Sequence, residues 1–310
     1  MPDVDDTQEL PTPNSPGVDK SPASWTAGVR VECGAATDVG KVRANNEDHY
    51  LITRLGRTMR ILSTSLPSTE LSNSFEEAGY ALVVADGMGG MAAGEVASSL
   101  AIMSGIRQSL SSPKWSFRID DAEARELVER VTRYFEGMHA AVTQRANSDA
   151  ALSGMGTTLT VAYSAGFELF TFHVGDSRAY LFRDGRLQQI TRDHTVAQML
   201  EDAGSITHDE AAQIDVRHVL TNAVGGGRPG ISPHVRRVRL ADGDAVLLCT
   251  DGLTEMVTDD RIAEILAQHA TPNDACNALV GEALANGGHD NVTVLLARYS
   301  AAANTAESPD

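Results

Sequence analysis

The hydrophobic and polar positions of the chain change period repeatedly, and each change predicts an element. Residues 29–37, "VRVECGAAT", and 80–85, "YALVVA", read as strands. Residues 92–110 and 121–146 carry apolar positions at three-and-four spacing and read as helices. Four strands follow, "GTTLTVAYS", "ELFTFHVG", "RAYLFR" and "RLQQIT", the last two joined by the hairpin pair Asp184-Gly185. A helix over about 195–203, strands "HVRRVRL" and "AVLLCT", helices near 259–268 and 273–286, and a final strand "NVTVLLARY" complete the pattern. Strands cluster and helices come in pairs, which predicts an α+β layered domain rather than an alternating parallel sheet.

Two segments interrupt this pattern. Residues 56–78, "GRTMRILSTSLPSTELSNSFEEA", separate two strands and read as an excursion or long loop. Residues 204–232, rich in glycine at Gly225, Gly226, Gly227 and Gly230, read as a mobile flap.

Composition narrows the class. With 310 residues, 42% hydrophobic and 22% charged, the chain can bury a sizeable core. Five of its eleven prolines fall within residues 1–24, beside five acids and a single lysine, so 1–27 reads as a disordered acidic leader, 28–300 as the folded domain and 301–310 as a frayed tail. A net charge of -17 disfavours nucleic acid and anionic membranes as partners. Cys33, Cys249 and Cys276 are widely spaced and odd in number, which signals neither a disulfide framework nor a zinc site. No stretch has the length and apolarity of a membrane span, and no N-terminal stretch reads as a signal peptide, so a soluble cytoplasmic protein is expected.

The candidate chemistry lies where apolar runs end in acids. "ALVVA" closes in Asp86-Gly87 and "AVLLCT" in Asp251-Gly252, the pattern of buried central strands. Asp176 ends a strand, Asp290 precedes one, and Glu47 and Asp48 stand before Leu51-Ile52. Five or six carboxylates at one sheet edge need a compensating cation, because each like charge raises its neighbours' pKa. Two readings stay open on spacing alone: turns and caps, or oxygen ligands for hard divalent cations such as Mg²⁺ or Mn²⁺. A dinucleotide loop, suggested by Gly87, Gly89 and Ala92, is disfavoured, since Asp86 would face the pyrophosphate and no acid follows Glu95 until Asp120.

In order along 28–299, "TDVGKVRANNEDHY", "VVADGMGGMAAGEVAS", "GMGTTLTVAY", "HVGDSRAYLFRDGRLQQITRDHT", "LTNAVGG", "LLCTDGLTEMV" and "GGHDNVTVLL" resemble the metal-dependent (type 2C) serine/threonine phosphatases, bacterial type. The resemblance implies a four-layer α-β-β-α sandwich with two central antiparallel sheets, and a centre of two Mn²⁺ or Mg²⁺ ions, with a third in bacterial members. By position, Asp86 would bridge two ions, with Glu47 and the Gly87 carbonyl on one and Asp251 and Asp290 on the other. Asp176 and Asp251 would hold the third. Asp48 would orient water, Arg43 would grip the substrate phosphate, and Ser177 and Asn291 would support these groups. The substrates implied are phosphorylated proteins, with a cognate serine/threonine kinase as the opposing enzyme. Members often carry a histidine where this chain has Met88 or Met91, so the resemblance supplies no histidine general acid here. The alternatives for that role are water or His49.

Overall fold

The computed structural model describes residues 28–67, 74–89, 93–112, 114–211 and 213–302. The leader at 1–27, most of the tail, and Met91 lie outside these residues. In chain order the elements are β1 (Val29–Asp38), β2 (Asp48–Arg60), β3 (Ser74–Met88), α1 (Ala93–Ser111), α2 (Asp121–Ser148), β4 (Gly156–Thr157), β5 (Leu159–Ala165), β6 (Glu168–Val174), β7 (Arg178–Arg183), β8 (Arg186–Gln189), α3 (Val196–Asp202), α4 (His208–Ala211), β9 (Val224–Gly225), β10 (His234–Arg239), β11 (Ala245–Cys249), α5 (Asp251–Thr254), α6 (Asp259–Gln268), α7 (Pro272–Ala285) and β12 (Val292–Ala301).

The strands form two antiparallel sheets. One runs β1-β12-β11-β7-β8; the other runs β10-β6-β5-β3-β4-β9, with β2 also paired to β3. Three apolar cores separate four layers. Leu82, Val84, Val246, Leu248, Leu295 and Tyr299 meet between the sheets. Ala85, Phe135, Met138 and Phe172 pack α1 and α2 on the outside of one sheet, and Leu247, Cys249, Leu253, Leu279 and Leu296 pack α5 to α7 on the other. All five residues of β11 are therefore buried, alternate ones facing helices and the opposite sheet, which is why its sequence reads as a continuous apolar run.

Local chemistry fixes the joints. Asp120 caps α2 by accepting from the Ala122 and Glu123 amides, and Thr271 caps α7 with Pro272 in its first turn. Asp184 (φ 51°) and Gly185 (φ 74°) make the β7–β8 turn with two left-handed residues, as the Asp-Gly pair predicts. Among the described residues no helix is long and apolar enough to cross a membrane.

The structure corrects the reading of 56–78. Strands β2 and β3 do not stop at the sheet but continue as a two-stranded ribbon, Gly56–Arg60 facing Ser74–Ala78 in unbroken register. Cross-strand pairs Arg54–Glu76 and Arg57–Glu77 hold it, and Arg118 Nε reaches the other oxygen of the buried Glu77 at 2.8 Å. The long-loop expectation failed because ion pairs, not apolar alternation, carry this part of the ladder. The "GTTLTVAYS" strand is likewise broken at Thr158, between β4 and β5, for a reason that lies in the site.

Candidate active site

The ends of β2, β3, β6 and β11 and the start of β12 meet at one end of the sandwich and floor a cleft of about 770 Å³. Arg43, Glu47, Asp86, Gly87, Asp176, Asp251, Asp290 and Asn291 all line it. Asp48 and Ser177 are buried beneath it.

Each side chain is held by an identifiable partner. The backbone of Asp86 is fixed by Thr158, whose amide donates to the Asp86 carbonyl at 2.9 Å and whose hydroxyl accepts from the Asp86 amide at 2.9 Å. Ser177 Oγ lies 2.7 Å from Thr158 Oγ1, and the Thr157 hydroxyl donates to the Asp86 carbonyl at 2.8 Å. The break between β4 and β5 thus serves to seat Asp86. Asp48 Oδ2 accepts from the hydroxyls of Thr250 (2.9 Å) and Thr293 (2.8 Å), so the threonine before α5 spends its side chain on the site rather than on the helix. Asn291 Nδ2 donates to the carbonyls of Val39 and Asn45, and its Oδ1 accepts from the Glu47 amide at 2.7 Å. That one side chain pins the loop carrying Arg43 and Glu47 to the start of β12. Arg43 itself donates to Asp290 Oδ2 at 2.6 Å.

Gly87 is required by close approach. A Cβ there would lie 2.1 Å from the Gly94 carbonyl oxygen and 2.8 Å from that of Glu47, both backbone atoms. Gly252 is similar, with a Cβ position 2.0 Å from the Asn291 carbonyl oxygen. Glycine at each position lets α1 and β12 close on the strand ends that carry the acids.

The electrostatics show an uncompensated cluster. Burial, and then the charges of Asp48, Asp251, Asp176 and Asp290, push the Asp86 carboxyl well above the usual range. Asp251 is pushed up likewise, by burial and then by Asp176, Glu255 and Asp290. Asp48 and Asp176 are each raised to about 7, chiefly by burial. Glu47 is raised as well, with burial the first cause. Asp48 Oδ1 and Asp251 Oδ1 are buried with no hydrogen-bond partner among the described residues. Orphaned carboxylate oxygens, crowded carboxylates and an all-oxygen donor set fit hard divalent cations.

Some lining residues carried no sequence signal. His218, from the segment between α4 and β9, lies with Asp251 and Glu255 so that one ligand atom from each is within 4.8 Å of the others. His289 lines the same cleft; it directly precedes Asp290 within a recognised motif and could have been noted there. His49 is not among the cleft residues: its Nδ1 lies 3.0 Å from Ser98 Oγ, which itself donates to the Glu47 carbonyl at 2.6 Å. Met88 lines the cleft where a histidine was sought. The three cysteines are free and absent from the cleft lining, and burial raises Cys33 to about 11 and Cys249 and Cys276 to about 12, which disfavours a thiolate.

Comparison with known proteins gives the same frame. The sequence profile of the family described as Protein phosphatase 2C matches residues 70–286. The serine/threonine protein phosphatase PstP of Mycobacterium tuberculosis is 37% identical over 264 residues, covering 85% of this chain but 44% of that protein, so the chain spans less than half of it. The serine/threonine phosphatase stp of Listeria monocytogenes is 34% identical, covering 84% of this chain and 92% of the relative. The crystal structure of the PstP catalytic domain in complex with two manganese ions superposes with a TM-score of 0.68 at 34% identity, covering 88% of this chain and 99% of that one. With a profile match over most of its length and a relative covered almost end to end, the chain belongs to the protein phosphatase 2C family.

Proposed function

We propose that this protein hydrolyses phosphoserine and phosphothreonine in phosphorylated proteins, using water activated at a divalent-metal centre. The observation that carries the reading is the convergence of Glu47, Asp86, Asp176, Asp251 and Asp290 on one cleft with Arg43 at its mouth. The named relatives are serine/threonine phosphatases, and the PstP catalytic domain binds two manganese ions. By the same reading, Asp86 with Glu47, the Gly87 carbonyl, Asp251 and Asp290 hold two Mn²⁺ or Mg²⁺ ions. Asp176 and Asp251 contribute to a third.

Bound there, divalent ions lower the pKa of water and offset charge on the transferring phosphoryl group. The protein's own groups do the positioning. Asp48, fixed at Oδ2 by two threonine hydroxyls, keeps an unpartnered Oδ1 that can accept a water proton. Arg43 exchanges its single bond to Asp290 for two phosphate oxygens, a bidentate contact that a planar guanidinium suits. Asn291, Thr158 and Ser177 keep these groups from relaxing apart. That no cysteine lines the cleft supports water as the nucleophile.

By the same reading the protein is cytoplasmic, which its three free thiols support, and it opposes a serine/threonine kinase. The test is hydrolysis of p-nitrophenyl phosphate and of a phosphothreonine peptide with Mn²⁺ and with chelator. Manganese-dependent release of phosphate from both is expected; metal-independent turnover, or none with manganese, overturns the reading.

A further inference from the structure

The layer between the α1–α2 pair and its sheet is incompletely filled. A cavity of about 350 Å³ lies between Leu51 of β2, Ala81 and Val83 of β3, Ile106 of α1 and Val131 of α2. Trp115 and Ser116, ahead of α2, line it as well. Protein interiors pack as densely as organic crystals and leave few voids larger than a water, so a space of this size is a departure from ordinary core packing. Leu51, Ala81, Val83, Ile106 and Val131 are only partly buried although they face the core.

Two polar groups in the wall are satisfied within the protein. Tyr163 Oη donates to the Ser116 carbonyl at 2.6 Å, and Trp115 Nε1 donates to the Ser109 carbonyl at 3.1 Å. The rest of the wall is mainly apolar, and apolar spaces take apolar guests. A benzene ring fills a cavity of about 150 Å³, so this one has room for about a dozen apolar carbons.

The mouth is marked by exposed residues, Leu110 (68% exposed) and Lys114, and by Arg130. Lys114 is paired with Glu123 and Glu126. Arg130 differs: it donates to Ser116 Oγ at 2.8 Å and makes no ion pair among the described residues. An apolar space beneath an arginine that makes no ion pair among the described residues selects a single-chain amphiphile with an anionic head.

We propose that this cavity is a binding site for a saturated single-chain carboxylic acid of about ten to twelve carbons, its chain beneath Trp115 and its carboxylate on Arg130. The site is separate from the phosphatase cleft and stands or falls independently of the proposed activity.

The chain has two tryptophans, so a full-length Trp25→Phe variant leaves Trp115 as the sole emitter. Octanoate, decanoate, dodecanoate and hexadecanoate are titrated below their micellar concentrations while Trp115 emission is followed. Saturable binding is expected to tighten about fourfold per added methylene and to level off near dodecanoate, where the space is full. Decanol is expected to bind about tenfold more weakly than decanoate, and Arg130→Ala to remove that difference. Ala81→Leu and Val131→Phe, which fill the cavity from opposite walls, abolish binding while the thermal midpoint without ligand is unchanged or higher. Absence of saturable binding overturns the proposal. So do a gain that continues through hexadecanoate, equal binding of decanol and decanoate, or undiminished binding in a cavity-filling variant that remains folded.

Discussion

Asp48 and Asp86 stand directly opposite each other across the β2–β3 ladder, two carboxylates in one cross-strand pair. Like charges in that position destabilise a sheet, and both groups are raised above the usual carboxylate range, burial being the first cause. The divalent cation proposed at these strand ends would relieve the pair. In the absence of divalent metal, Asp86→Asn is therefore expected to raise the thermal midpoint by a few degrees, about 2–4 °C for each kcal/mol of relieved repulsion in a chain of this size. Adding Mn²⁺ should raise the wild-type midpoint, by about 2.7 kcal/mol of stabilisation at one hundred times the dissociation constant. The variant should gain much less, and its turnover should fall by more than about 100-fold. Differential scanning fluorimetry with chelator and with Mn²⁺ measures both effects. An equal manganese shift in the two proteins contradicts the assignment of Asp86 as a ligand.

Glu77 is fully buried and is shared between Arg57 on the facing strand and Arg118 on the α1–α2 connector. Removing it leaves two arginines without a partner and unpins the ribbon from the connector. Glu77→Ala is expected to cost about 2–3 kcal/mol by urea denaturation, with Glu77→Gln about half as costly because one acceptor remains. Amide exchange should accelerate in Gly56–Arg60 and Ser74–Ala78 while the central part of the sheet stays protected. Uniform acceleration across β3 would show that Glu77 supports the whole sheet rather than the ribbon.

Legibility in the sequence followed the physics of each element. The β11 run "AVLLC" and its terminal Asp251 could be read directly, since a strand covered on both faces must be apolar throughout. The helices α6 and α7 could be read near their observed bounds, and the structure adds Thr258 and Thr271 as their caps. The ribbon could not be read, because its register is set at the Asp48–Asp86 end and continued by ion pairs. In the site, acids at strand ends were visible in one dimension. The support network was less so: Thr250 and Thr293 reach Asp48 from more than 200 residues away, and His218 enters from a segment with no local pattern.

His173 is fully buried on β6, with Nδ1 2.8 Å from Thr160 Oγ1 and its ring stacked on His194 at a 5.0 Å centroid distance. His234 faces it across the β6–β10 ladder, and Arg192, Asp193 and Arg236 surround the group. Burial, and then His194, holds the His173 pKa down to about 3. The folded value is below the unfolded value of about 6.5, so the unfolded chain takes up a proton that the native state refuses. The stabilisation from neutral His173 is complete above pH 6.5 and is lost as the pH falls toward 3, by about 1.4 kcal/mol per unit. Between pH 7 and pH 5 the wild type should lose about 2 kcal/mol that His173→Gln does not lose. Urea titrations of both proteins at the two pH values, in chelator, give the comparison. Parallel losses would assign the acid sensitivity to other groups.

Arg43 is the most exposed of the grouped site residues, and its single bond to Asp290 raises its pKa rather than burying it. A guanidinium held this way is poised to change partners: a phosphate offers two oxygens in one plane where Asp290 takes one donor. Losing charged hydrogen bonds of this kind costs about 1.5–3 kcal/mol each, so Arg43→Ala is expected to lower kcat/KM for a phosphothreonine peptide by about 10-fold to 150-fold. Arg43→Lys should recover only part of this, because an ammonium cannot present the two-pronged contact. Manganese affinity, measured by calorimetry, should change little in either variant, since Asp290 keeps its hydrogen bond from the Asn291 amide at 2.8 Å. A large loss of manganese binding with unchanged peptide turnover at saturating metal would place Arg43 as a support for Asp290 instead of a contact to the phosphate.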